Sequence, residues 1–293
     1  MQKVRYENAR GQSILFSDAL PFILEAVDGT GLCANTVTGI AGIDTDVTPI
    51  INMKKAPRQL TVGFHLIAAD RGELYRLRRD LCGILSKDRA MKDSGGIAAR
   101  VVYENDAGAW WVSAVPEGEV RFKKRVKDLF MGVTVAFCCE SPYFRSMVKK
   151  RQVLSFSGDG FELPMAYPIA LGSRDFRKTL ENAGQVRAPV TITITGQGET
   201  PLVLNHSTGR AIGLSRPLPE GHTLFIDTDA ANLRVQVSDA HGIFQNAFGY
   251  LSPDTSLAAF TLRPGLNDIE YIPGGAAAMS RITIEWHELY EGV

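Results

Sequence analysis

Val190-Thr191-Ile192-Thr193-Ile194-Thr195 is the stretch that decides the fold class. Apolar and polar residues alternate strictly, and every one is β-branched. Side chains of a strand point alternately to its two faces, so Val190, Ile192 and Ile194 face a core while the threonines face water. This is the pattern of a half-buried antiparallel strand. Downstream, Leu224–Asp227, Leu233–Val237, Leu257–Leu262, Asp268–Ile272 and Arg281–Leu289 follow at short, turn-punctuated spacing. In the last of these, Ile282, Ile284 and Trp286 are expected to face inward. Many short strands separated by Gly, Pro, Asn and Asp argue for a sandwich or jelly roll.

The first half alternates too. Leu60, Val62, Phe64 and Leu66 share one face, with further strands at Ile14–Phe16, Phe22–Val27, Ala98–Tyr103, Trp110–Val115, Val120–Lys124 and Gly132–Cys138. Val27-Asp28-Gly29 and Val115-Pro116-Glu117-Gly118 read as turns. Asp70-Arg71-Gly72-Glu73 has the form of a capping box, and Leu74, Leu77, Leu81, Ile84 and Leu85 then fall on one helical stripe. The expectation is a mainly β protein with one helix over residues 71–85. A domain boundary is placed beside the basic stretch Lys149-Lys150-Arg151, giving domains 1–147 and 148–293.

The 293 residues are 45% hydrophobic and 22% charged, the balance of a folded globular chain. Lys plus Arg and Asp plus Glu both number 32, so no global field draws in nucleic acid or an acidic membrane. Neither a secretory leader nor an apolar run of about 18 residues is visible, so a soluble protein made in the cytoplasm, with no membrane partner, is expected. Cys33, Cys82, Cys138 and Cys139 lack metal or redox spacing and read as reduced thiols.

Catalytic motifs fail in turn. Gly29-Thr30-Gly31-Leu32-Cys33-Ala34 fits GxGxxA, but Asn35-Thr36-Val37 is a poor start for the helix that a dinucleotide site needs. His287-Glu288 opens like a zincin motif and lacks the second histidine. No GxSxG elbow or Walker loop occurs. Asp44/Asp46 and Asp227/Asp229 suit turns better than calcium, which needs several more oxygens. A glycosidase pair depends on a separation of roughly 5–9.5 Å that sequence does not give. No catalytic residue, cofactor or metal is therefore assigned. The chain reads as not an enzyme.

Lys54-Lys55, Lys123-Lys124-Arg125 and Lys149-Lys150-Arg151 are either the lining of a channel or solvated strand edges. Trp110-Trp111 should send one indole into the core and one outward, the outer one being an interface anchor or a half-covered surface residue.

The order of several short motifs resembles that of siphophage distal tail proteins. They are Tyr6-Glu7-Asn8-Ala9-Arg10-Gly11-Gln12-Ser13-Ile14, Pro21-Phe22-Ile23-Leu24, Arg58-Gln59-Leu60-Thr61-Val62 leading into the helix with Leu77-Arg78-Arg79, and Ser141-Pro142-Tyr143-Phe144. In the second half they are Asn182-Ala183-Gly184, Gly221-His222-Thr223-Leu224-Phe225-Ile226-Asp227-Thr228 and Leu262-Arg263-Pro264-Gly265-Leu266-Asn267. The resemblance implies an N-terminal ring-forming β domain with one helix and a C-terminal galectin-like β-sandwich. It implies a structural subunit of the virion, assembled in the host cytoplasm into a homo-hexameric ring at the phage tail tip. That ring would join the tail tube protein to the tail-tip or baseplate hub protein and pass the tape measure protein and DNA. Arg78, Arg79, Trp110, Trp111, Tyr143 and Phe144 become candidate interface residues, and Lys54, Lys55, Lys123 and Lys124 candidate channel or edge residues. The alternative is a carbohydrate-binding β-sandwich that recognises host surface glycans. It needs a polar groove or a row of exposed aromatics, and Trp286 belongs to the core.

Overall fold

The computed structural model describes residues 2–40, 46, 48–87, 99–123, 129–156, 174–239, 241–274 and 280–293. Two compact units divide the chain: Met1–Met147 with Tyr290–Val293, and Val148–Leu289. The last four residues thus belong with the N-terminal unit.

The first unit contains β1 (Lys3–Glu7), β2 (Ser13–Phe16), β3 (Phe22–Asp28), β4 (Asn35–Gly39), β5 (Ile50–Lys55), β6 (Gln59–Ile67), α1 (Arg71–Ile84), β7 (Arg100–Asn105), β8 (Gly108–Phe122), β9 (Phe130–Cys139) and the start of β10 (Phe144–Phe156). Every pairing among them is antiparallel. β2 pairs with β1, β1 with β7, and β7 with the first half of β8, while β3 pairs with β6, β6 with β9, and β9 with the second half of β8. β8 serves both groups because its register shifts between Glu117 and Arg121, with Gly118 at φ 71°. The turn expected at Val115–Gly118 is instead a bulge within one long strand. A bulge absorbs the extra residues and bends the strand without ending it. Val4, Tyr6, Phe16, Val101 and Val112 meet Val62, Phe64, Val133 and Phe137 in one core.

The helix begins where the capping residues put it. The Asp70 carboxylate accepts from the Glu73 amide at 2.8 Å, and Glu73 reaches back to the Ala69 amide at 2.8 Å. Leu74 and Leu81 are fully buried, as the stripe requires. At the other end, the Asn8 side-chain amide donates to the Ile84 carbonyl at 3.3 Å, tying the last turn to the β1–β2 connection.

The second unit contains the rest of β10, then β11 (Arg174–Asp175), β12 (Arg177–Asn182), β13 (Ala188–Thr195), β14 (Leu202–Asn205), β15 (Arg210–Gly213), β16 (Thr223–Asp227), β17 (Arg234–Ser238), β18 (Phe244–Asn246), β19 (Thr261–Leu262), β20 (Gly265–Ile272) and β21 (Arg281–Tyr290, of which Tyr290 belongs to the first unit). One sheet runs β18-β17-β16-β13-β21, and the other runs β12-β20-β14-β15. Ile192, Ile194, Leu224, Ile226, Ile282 and Ile284 of the first sheet share a core with Leu180, Val203, Ile212, Ile269 and Tyr271 of the second. Trp286 is 6% exposed, so the inward face of β21 is as its alternation predicts. Leu257–Leu262 is not one strand. Leu257–Ala259 forms a 3-10 turn and only Thr261–Leu262 pairs. The small, weakly β-forming Ala258-Ala259 pair explains why this apolar run curls.

The structure is therefore mainly β with one α-helix in the N-terminal unit. The strand read at Ala98–Tyr103 begins at Arg100, and Ala98 lies outside the described residues.

Candidate functional site

Arg58 is the largest fully buried side chain among the described residues, at 1% exposure. It is in phase with Leu60, Val62, Phe64 and Leu66, so the pleat that buries those four also turns Arg58 inward. Its guanidinium is ringed by carbonyls. Nε donates to Pro142 O at 2.9 Å, one terminal nitrogen donates to Gly31 O at 2.9 Å and to Gly29 O, and the other donates to Glu291 O at 2.5 Å. Below it lies the Phe144 ring, 4.3 Å from the guanidinium carbon. Burial pulls the Arg58 pKa down from its ordinary value. A planar fork of five N–H donors is suited to such a crown, because each carbonyl offsets part of the desolvation cost.

The crown joins three distant pieces of chain: the loop after β3, the Ser141-Pro142-Tyr143 junction and the C-terminal Glu291. Gly29 makes the approach possible, with φ at 91° and a Cβ position that the Gln59 carbonyl would occupy. Nearby, Cys33 donates to Pro142 O at 3.5 Å, and burial pushes the Cys139 thiol up to about 12. That thiol is unreactive rather than catalytic. Val293 N donates to Thr30 O at 3.1 Å and Lys55 pairs with Glu291 at 3.1 Å, completing the tie of the C-terminus. Sequence reasoning quoted Arg58 in a motif but missed its role. The available signal was its spacing, two residues ahead of an alternating apolar face.

The second prominent feature is the hairpin β4–β5. Every residue of it is exposed except Lys55, which is half-buried. Val37 pairs across from Met53, and Val37, Ile50, Ile51 and Met53 are between 52% and 69% exposed. A two-stranded hairpin alone in water is marginal at best. Large apolar side chains concentrated on such an arm mark a contact surface.

The sequence-derived candidates are dispersed. Trp110 turns inward and meets Tyr290 edge-on at 6.2 Å, while Trp111 lies on the opposite face between Arg100 and Arg145, at 5.9 and 5.3 Å. Arg78 stacks over Phe122 at 4.2 Å, and Arg79 is exposed. Tyr143 is half-buried at the junction. Phe144 requires a correction: at 0% exposure it is the floor of the Arg58 crown and offers nothing to a neighbour. Lys54 and Lys123 are exposed, Lys55 is held by Glu291, and Lys124 lies outside the described residues. The Lys149–Arg151 stretch is not a free basic surface, because Lys149 and Arg151 reach Glu285 at 2.7 and 3.8 Å and Lys150 reaches Glu288 at 3.8 Å. Of the paired aspartates, Asp44 is outside the described residues, and Asp227 and Asp229 accept local turn bonds. Among the described residues, no group of three or more His, Cys, Asp or Glu could hold a metal ion, and no helix is long and apolar enough to cross a membrane.

Asn182, Asn205 and Asn267 are fully buried in the second unit. Asn182 donates to Val186 O and Leu262 O at 2.9 and 3.0 Å and accepts from Gly184 N at 3.0 Å. Asn267 closes the Arg263–Gly265 turn with three such bonds. Residues 183–290, which include Asn205 and Asn267, match the family model of the siphovirus-type tail component, C-terminal domain. Over this stretch the chain is similar to that family's C-terminal domain. The fold likeness is wider than the family match. The crystal structure of the SPP1 Dit protein, described as a paradigm of the hub adsorption apparatus of phages infecting Gram-positive bacteria, superposes with a TM-score of 0.65 at 12% identity, covering 96% of this chain and 98% of that one. Chains of the phage P2 baseplate in its activated conformation, with calcium and with strontium, each give 0.55 at 10% identity, covering 97% and 98%. No curated protein sequence matches this chain.

Proposed function

We propose that the protein is a distal tail protein: a structural, non-catalytic subunit whose copies close into a hexameric ring at the tip of a phage tail. The observation that carries this reading is the fold likeness to the SPP1 Dit protein over nearly the full length of both chains. The first unit forms the ring and the second adopts a galectin-like sandwich. The ring joins the tail tube protein to the tail-tip or baseplate hub and leaves a channel for the tape measure protein and DNA. It is assembled in the host cytoplasm and resides in the virion.

Physical support comes from the β4–β5 arm. A closed ring needs two different patches on each subunit, meeting head to tail. The apolar arm supplies one patch and loses its unfavourable exposure when a neighbouring copy covers it. Zero net charge suits a channel, since tight phosphate contacts would stall passing DNA. The experiment is reconstitution of the full chain with tail tubes, imaged by negative-stain microscopy. A ring at one end of the tube is expected. Decoration along the tube wall, or none, would refute the assignment.

A further inference from the structure

A groove of about 280 Å³ lies in the second unit, lined by Arg216, Pro217, Leu218, Pro219, His222, Val237, Asp239, Gln245 and Tyr250. We propose that it binds a short neutral glycan. Its chemistry separates it from an ordinary surface dent. Arg216 forms no ion pair among the described residues and sits over the Tyr250 ring at 4.8 Å. The Gln245 amide and the Tyr250 hydroxyl are likewise without a partner among the described residues, and His222 uses only Nδ1, 3.2 Å from Glu220 O. Asp239 spends one oxygen on the amides of His241 and Ile243, at 2.9 and 3.0 Å, leaving the other for a ligand.

Donors and acceptors are thus mixed within one groove, beside the apolar faces of Pro217, Pro219 and Tyr250. A sugar hydroxyl both donates and accepts, and the C–H face of a sugar ring needs an apolar surface. The one guanidinium is balanced by the one carboxylate, so an anionic ligand would meet Asp239 and a cationic one Arg216. The volume is near the lower end of small-ligand sites, roughly 300–1,000 Å³, which suits a mono- or disaccharide.

The walls are held before any ligand arrives. Leu218 and Gly198 exchange backbone bonds at 2.7 and 3.0 Å, and Ser215 donates twice to Tyr250 O at 2.8 and 3.1 Å. Gln245 is fixed opposite Val237 by the β17–β18 register. The polar groove that sequence reasoning required of a glycan binder is therefore present, built around Tyr250 rather than Trp286.

The test is saturation-transfer NMR on the full chain with glucose, galactose, N-acetylglucosamine, rhamnose and their disaccharides, and with glucuronic acid as the anionic comparison, each at about 10 mM, enough to occupy a site of millimolar affinity. At least one neutral sugar should receive saturation. Gln245→Ala and Arg216→Ala should each weaken it about fivefold, the loss of a hydrogen bond, with unchanged melting temperatures. Arg263→Ala, elsewhere in the unit, should leave it intact. Transfer to no sugar, equal transfer to the Gln245→Ala chain, or transfer to glucuronic acid alone would overturn the proposal. So would Gln245 signals that shift with a phage tail protein and with none of the sugars. The hub reading stands or falls separately, since ring formation is measured without sugar.

Discussion

At the margin of the first unit's core sits a buried cation, Arg58, held by carbonyls from segments as far apart as Gly29 and Glu291. In the second unit the comparable places hold the neutral amides of Asn182, Asn205 and Asn267. Asn267 bonds only within its own turn, whereas Arg58 gathers three remote pieces of backbone. A guanidinium has the reach and donor count to do so, and costs far more if its partners are lost. An amide closes one turn cheaply. The second unit thus spreads its fastening over several amides, with Asn182 and Asn205 reaching Leu262 and Thr261, while the first depends on one buried group, which also secures the ends of the segments flanking its exposed arm.

The sharpest way to break this comparison is Arg58→Ala. Four carbonyls lose their donor, and the expected cost is about 3–5 kcal/mol, in the range for breaking a buried charged contact. Hydrogen exchange should show protection lost across residues 2–147 and retained in 174–289. Even loss across both units, or a cost below about 1 kcal/mol by denaturant titration, would mean that the crown is not the first unit's fastening.

Asn182→Ala is the matching change in the second unit. Three bonds disappear and the Leu262 carbonyl is left buried, so about 2–3 kcal/mol should be lost, now with exchange rising in 174–289. Gly184→Ala should act in the same place, because its Cβ would lie 2.8 Å from the backbone of Leu289.

Alkali should also separate the units. Burial raises Tyr6 from 10.0 to about 12, and Cys139 to about 12, both in the first unit. A group with a raised folded pKa contributes stability that is complete below its unfolded value and lost as pH rises through the folded one. Tyr6 stabilisation should thus be intact below pH 10 and vanish towards 12. In the second unit burial also raises Tyr271, but its hydrogen bond to Ser280 opposes the shift. Melting scanned from pH 9 to about 12 should show the first unit failing before the second.

Lys55→Ala should have the smallest effect, below about 1 kcal/mol, since the pair with Glu291 is partly exposed. A larger loss in denaturant titration would shift weight from Arg58 to this ion pair.

Alternation and capping made much of the fold legible. Val190–Thr195, Leu60–Leu66, Arg281–Trp286 and the Asp70 cap all read directly into structure, because side-chain period and local hydrogen bonds are properties of short segments. Asn35–Gly39 and Ile50–Lys55 were not read as strands, since no buried face imposes a pattern on them. Val115–Gly118 misled because proline and glycine mark bulges as well as turns. Of the candidate site residues, Phe144 failed because its partner is a cation 86 positions earlier, which no local rule reveals. The return of Tyr290–Val293 to the first unit was hidden for the same reason.

The most direct test of the account is a solution mass measurement on the full chain beside a Val37→Asp, Met53→Asp double variant. Both positions are exposed on the arm, so the subunit should fold unchanged. The account predicts closed rings for the natural sequence and single subunits for the variant, at equal melting temperature. Single subunits for the natural sequence, or rings of equal abundance from the variant, would contradict it.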